Sequence, residues 1–99
     1  MAWATEHIAR LQKGETVQFR PRGHSMRGKI NSGQLCTVAP ITDPPQVGDI
    51  VLCKVNGRQY LHLIKAIQGD RYQIGNNCGR INGWVSRHCI YGKCVRVEA

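Results

Sequence analysis

Residues 49–67 read DIVLCKVNGRQYLHLIKAI, and the fold of the chain turns on this stretch. Two runs rich in β-branched and aromatic side chains, DIVLCKV (49–55) and RQYLHLIKAI (58–67), flank Asn56-Gly57. Both residues of that pair tolerate the positive φ of a two-residue turn, so the stretch predicts a β-hairpin. Side chains alternate across a strand. His62 therefore shares a face with Tyr60 and Ile64, and Leu61, Leu63, Lys65 and Ile67 take the other. Unless a bulge intervenes, His62 and Lys65 do not point at one site.

Outward from the hairpin, the same alternation recurs. TVQFR (16–20) predicts a strand, and QLCTVAPI (34–41) a second one closed by proline, with Asp43-Pro44-Pro45 as a stiff loop. Gln68-Gly69-Asp70 forms a turn before the strand RYQI (71–74), GNNCGRING (75–83) reads as a polar loop, and CIYGKCVRV (89–97) as the last strand. Ahead of all these, Trp3, His7, Ile8 and Leu11 share one helical face, which predicts a helix over about 3–13 that Gly14 stops. The expected architecture is mostly β: a coiled antiparallel sheet or partly open barrel of six or seven short strands, with one short N-terminal helix. With 99 residues, the expectation is one domain over 1–99, its β part at about 16–97.

Composition narrows the function classes. A hydrophobic fraction of 41% with 20% charged residues fits a globular protein rather than a disordered one. No apolar run approaches the roughly 20 residues that cross a bilayer. Glu6, His7 and Arg10 interrupt what would be the apolar region of a secretory signal, so the expected compartment is the cytoplasm. Five cysteines without a CxxC pair then read mostly as small buried hydrophobes; Cys36, Cys53 and Cys94 lie in strand-like stretches. A zinc site from Cys78, His88, Cys89 and Cys94 would have none of the usual ligand spacings, and neither metal nor cofactor is expected. The net charge of +8 favours anionic partners, nucleic acid among them, although the charges are spread along the chain without an RNA-binding aromatic signature.

One motif carries chemistry. In RGHSMRGKI (22–30), Ser25 is either an ordinary turn residue or a nucleophile, and a nucleophile needs a base to take its proton. His24 is its sequence neighbour, and neighbouring side chains usually diverge, so His24 is better placed to line a cleft. His62 is the other candidate; read blandly, it is a half-buried strand imidazole satisfied by a carbonyl.

The order of the surrounding motifs bears on this choice. RGHSMRGKINSGQLCTVAP, VGDIVLCKVNGRQYLHLIKAIQGDRYQIGNN and CIYGKCVRV together resemble the serine peptidase superfamily of the signal peptidases and LexA-type repressors, over about Val17 to Val97. The resemblance implies a β domain of that type and a peptidase acting on an extended peptide. Gly23-His24-Ser25-Met26 matches the nucleophile motif, and Gly48–Val51 the strand that opens the hairpin. The Tyr60–Asp70 stretch matches the base segment without a gap. Ser25 is then the implied nucleophile and His62 the implied base, as in the histidine-bearing archaeal and endoplasmic-reticulum signal peptidases; Lys65 is off the base position. Asn76 or Asn77 is expected to orient the imidazole, backbone N–H groups around Ser25 and Met26 to form an oxyanion hole, and His24, Arg27 and Tyr60 to line the substrate cleft.

The sequence departs from that pattern. Gly75-Asn76-Asn77 stands where the histidine variants carry an orienting aspartate, and no acidic residue follows until Glu98. Arg27 replaces the common proline. A membrane anchor and a DNA-binding domain are both expected to be absent. Self-processing, known in LexA-type relatives, would need a glycine upstream of Ser25, and Gly14 and Gly23 are the candidates. The rival expectation keeps the fold without the chemistry, as a binding module for an acidic peptide or nucleic acid; a third is a subunit whose sheet edge pairs with a partner strand.

Overall fold

A computed structural model describes residues 3–99, so residues 1 and 2 of the expected domain lie outside the described residues. The elements run α1 (Thr5–Gln12), β1 (Val17–Phe19), β2 (Leu35–Pro40), β3 (Ile50–Val55), β4 (Arg58–Gln68), β5 (Arg71–Gly75), β6 (Ile81–Ser86), a 3₁₀ turn (Arg87–Cys89) and β7 (Ile90–Glu98). The hairpin is β3–β4, in register from Ile50 opposite Leu63 to Val55 opposite Arg58. Its turn has positive φ at both Asn56 (51°) and Gly57 (81°), the combination that Asn-Gly supports at least cost.

All seven strands form one antiparallel sheet in the order β1-β2-β7-β3-β4-β5-β6. The sheet is mostly β as expected and is not closed: β1 and β6 are its edges. It coils strongly. A methyl group at Gly83 in β6 would stand 3.1 Å from Val55 Cγ1 in β3, so the two strands meet although β4 and β5 separate them in the sheet.

Both faces of β3 and β4 are buried, which is why these strands read as nearly unbroken apolar runs. Leu52, Leu61 and Leu63 pack on one face with Ile8 and Leu11 of α1, and with Met26 and Ile30. Val51, Cys53, Val55 and Ile64 pack on the other with Ile74, Val85 and Ile90. The helix has no side-chain N-cap; Gln59 of β4 substitutes. Its Oε1 accepts the Ala4 N–H at 2.6 Å, its Nε2 donates to Thr5 Oγ1 at 3.0 Å, and its carbonyl accepts Trp3 Nε1–H at 3.2 Å. Among the described residues no helix is long and apolar enough to cross a membrane.

One element differs from the sequence reading. The polar loop predicted through Gly83 ends earlier, and Ile81–Ser86 is the edge strand β6. Asn82-Gly83 looks like turn chemistry, but between Gly75 and Ile74 of β5 the partners on β6 step from Ile81 to Gly83. Asn82 is thus the extra residue of a β-bulge, a device that redirects a side chain.

Candidate functional site

Ser25 lies in a helical turn between β1 and β2. Arg27 N–H reaches the His24 carbonyl, and the amides of Lys29 and Ile30 reach the Met26 carbonyl. Gly23, with φ of 110°, admits the chain to this turn in a conformation that side-chain-bearing residues avoid. The buried Met26 side chain anchors the turn in the core, so Met26 contributes no side chain to chemistry. Among the described residues no hydrogen bond uses the N–H of Ser25 or Met26, which leaves both amides without an acceptor in the chain.

His62 sits in mid-β4, 7% exposed. Its Nε2 is 3.2 Å from Ser25 Oγ, and its Nδ1 is 2.7 Å from Asn82 Oδ1. An amide oxygen only accepts, so Nδ1 carries the proton. Nε2 is then left with a lone pair aimed at the Ser25 hydroxyl, the tautomer that a general base requires. Tyr60 stacks on the imidazole, ring centroids 4.8 Å apart. Burial pushes the His62 pKa below the usual histidine range, and the hydrogen bond that Nδ1–H donates to Asn82 offsets only part of this. The ring is neutral at physiological pH.

The orienting residue is therefore Asn82, not Asn76 or Asn77. Asn76 Oδ1 is occupied by the amides of Cys78 (2.8 Å) and Arg80 (2.9 Å), which closes the β5–β6 loop. Asn77 ties that loop to the serine turn: its amide donates to the Ser25 carbonyl at 2.9 Å, and its Nδ2 donates to the Arg27 carbonyl at 2.7 Å. Asn82 reaches His62 because β5 ends at Gly75, opposite Leu63, and the bulge turns β6 past that end. Gly75 is required there, since a methyl group would come within 2.6 Å of the Arg80 carbonyl oxygen. An asparagine in a presumed loop gave no sign of this in the sequence.

A cleft of about 480 Å³ opens beside Ser25 and His62. Tyr60 lines it as expected, but His24 and Arg27 do not; both are exposed outside it. Its walls come instead from Trp3 and His7 of the N-terminal segment, Phe19, and Arg20–Gly23. Lys65, the extra residue of a bulge between Ile64 and Ala66, takes no part in the Ser25 contact. Among the described residues no three His, Cys, Asp or Glu side chains gather as metal ligands, and Cys78, His88, Cys89 and Cys94 do not form a zinc site. Burial pushes the thiols of Cys36 and Cys53 up to about 12.

The arrangement is a serine–histidine–asparagine array at the edge of a cleft in an open antiparallel sheet. No family profile matches the chain, and no solved structure does. A curated plant protein, Nodulin-1 of Medicago truncatula, is 35% identical over 49 residues, which is 50% of this chain and 67% of that protein. The chain belongs to the same family as Nodulin-1.

Proposed function

We propose that this chain is a serine peptidase of the signal peptidase/LexA type, with Ser25 as nucleophile, His62 as general base and Asn82 as the residue that holds the base. The observation that carries the reading is the contact of Ser25 Oγ with His62 Nε2 at 3.2 Å while Nδ1 is fixed by Asn82 at 2.7 Å. Ser25 Oγ bonds to the substrate carbonyl carbon as its proton passes to Nε2. The C–N bond then breaks, the proton leaves with the amine, and water hydrolyses the acyl-serine by the same route. The amides of Ser25 and Met26 are the candidate donors to the oxyanion, each worth about 10²–10³ in rate. Asn82 fixes the tautomer but supplies no charge for the imidazolium, so turnover is slower than with a carboxylate in its place.

The sheet offers a seat for an extended substrate. On the side away from β3, β4 pairs with β5 only from Leu63 onward, so its Arg58–His62 half has no strand partner there; the Gln59 carbonyl is taken by Trp3 Nε1–H, and Leu61 lies beside the cleft without a β5 partner. A peptide adding to such an edge brings its carbonyls past the serine. The test is digestion of an unfolded protein, with new N-termini read by mass spectrometry. Cleavage by the wild type that disappears in Ser25→Ala and His62→Ala supports the reading. No cleavage, with salt-dependent binding of an acidic peptide or oligonucleotide, would favour the binding module that the net charge of +8 suggests.

A further inference from the structure

The walls of the cleft say what side chains its occupant carries. Trp3 and Phe19 meet edge to face, ring centroids 5.4 Å apart, and His7 stacks on Phe19 at 4.6 Å. Buried Met26, Ile30 and Leu61 lie beneath them. A space of about 480 Å³ with such walls suits a bulky ring, which gains both apolar burial and the edge-to-face geometry that aromatic pairs prefer. The charge of the rim is one-sided. Arg20 and Arg22 line the cleft, and among the described residues no acidic side chain does. Arg20 Nη1 donates to the Gly33 carbonyl at 2.8 Å, which fixes that guanidinium in place.

We infer that the cleft selects peptides in which an aromatic residue adjoins an acidic one: the ring packs against the wall that Trp3, Phe19 and Leu61 line, and the carboxylate meets Arg20 and Arg22. That the occupant is a peptide rests on the peptidase reading above. An aromatic and arginine lining also suits a stacked base. The peptide is favoured because the same cleft opens on the Ser25–His62 pair and on the half of β4 that has no β5 partner.

Binding is measured by calorimetry on Ser25→Ala, so that affinity is read apart from cleavage. The probes are short acetylated, amidated alanine–serine peptides with Glu-Phe, Phe-Glu, Lys-Phe or Ala-Ala at the centre, together with oligothymidine. The better of Glu-Phe and Phe-Glu is expected to bind at least about tenfold tighter than Ala-Ala. It is expected to bind a few-fold tighter than Lys-Phe at low salt, with that margin shrinking as salt is added. Phe19→Ala removes the aromatic preference, and Arg22→Glu, an exposed change that leaves the core intact, removes the charge preference, since the new carboxylate then cancels Arg20. Equal affinities, no peptide binding at millimolar concentration, or oligothymidine binding tighter than every peptide overturns the inference. If Ser25→Ala shows the preference but the wild type cuts none of these peptides, the peptidase reading falls and the cleft inference stands. If the wild type cuts Ala-Ala as readily as Glu-Phe, the reverse holds.

Discussion

At the scale of single residues, the site rests on one imidazole held from both sides. His62 is buried and neutral, so its lone pair is available without first losing a proton. The pH dependence follows from the direction of its shift. The unfolded chain takes up a proton at the ordinary histidine pKa, near 6.5, and the folded chain only at lower pH. Between those two values the unfolded state holds more protons, so stability falls as pH drops through that window, and above it His62 contributes no pH dependence. For the proposed peptidase, the acid limb of activity is expected below the ordinary histidine value for the same reason. Asn82→Asp places a carboxylate on Nδ1, raises the pKa and moves the acid limb of kcat/KM to higher pH. A purely structural Asn82 would leave the profile where it is. His62→Ala is expected to cost about 10²–10⁴-fold in kcat/KM with little change in fold, checked by steady-state rates and circular dichroism. In the sequence, the pairing of Ser25 with His62 was legible only through the order of motifs around them, because 37 residues separate the two side chains. Asn82 was not legible at all: its role depends on a bulge, and a bulge is set by register rather than composition.

At the scale of elements, the Asn56-Gly57 hairpin is the part that local chemistry dictates most directly, and the structure has it in the predicted place. The helix and strands β1, β2, β5 and β7 also fall within a few residues of their predicted spans, with β6 as the exception. That strand was hidden because Asn82-Gly83 mimics a turn, while the exposed Ile81 and Trp84 leave its apolar alternation weak. Two junctions between elements hold the site. Gln59→Leu leaves the Ala4 amide without its acceptor and is expected to cost about 1–3 kcal/mol in a urea melt, loosening the helix wall of the cleft. Gly75→Ala forces the Arg80 carbonyl away and is expected to cost about 1–3 kcal/mol, with loss of activity beyond that of equally destabilised core variants. Loss of stability alone would mean that Asn82 does not depend on the β5–β6 loop for its position.

At the scale of the whole molecule, the coiled sheet is packed on both faces, and most of its cysteines belong to that packing. Cys36 and Cys53 are fully buried and remain thiols at neutral pH, whereas Cys78 is exposed on the loop that touches the serine turn, its Sγ 3.4 Å from the His24 carbonyl. A maleimide is therefore expected to modify Cys78 fastest in the folded protein, leaving Cys36 and Cys53 untouched until denaturant is added, as read by peptide mass mapping. Fast labelling of Cys36 would contradict its burial in β2, where it lies between Phe19 of β1 and Val97 of β7. The basic balance of the chain belongs to this scale too: a net charge of +8 sets up a positive field, and Arg20 and Arg22 add to it at the cleft.

The central claim is that Ser25 is an activated nucleophile. A fluorophosphonate tests it most directly: the reagent bonds to a serine oxygen with loss of fluoride, and the proton goes to the neighbouring base. A single covalent adduct is expected, mapped to Ser25 by mass spectrometry, absent in Ser25→Ala and strongly slowed in His62→Ala. No adduct at Ser25, or equal labelling with and without His62, would contradict it.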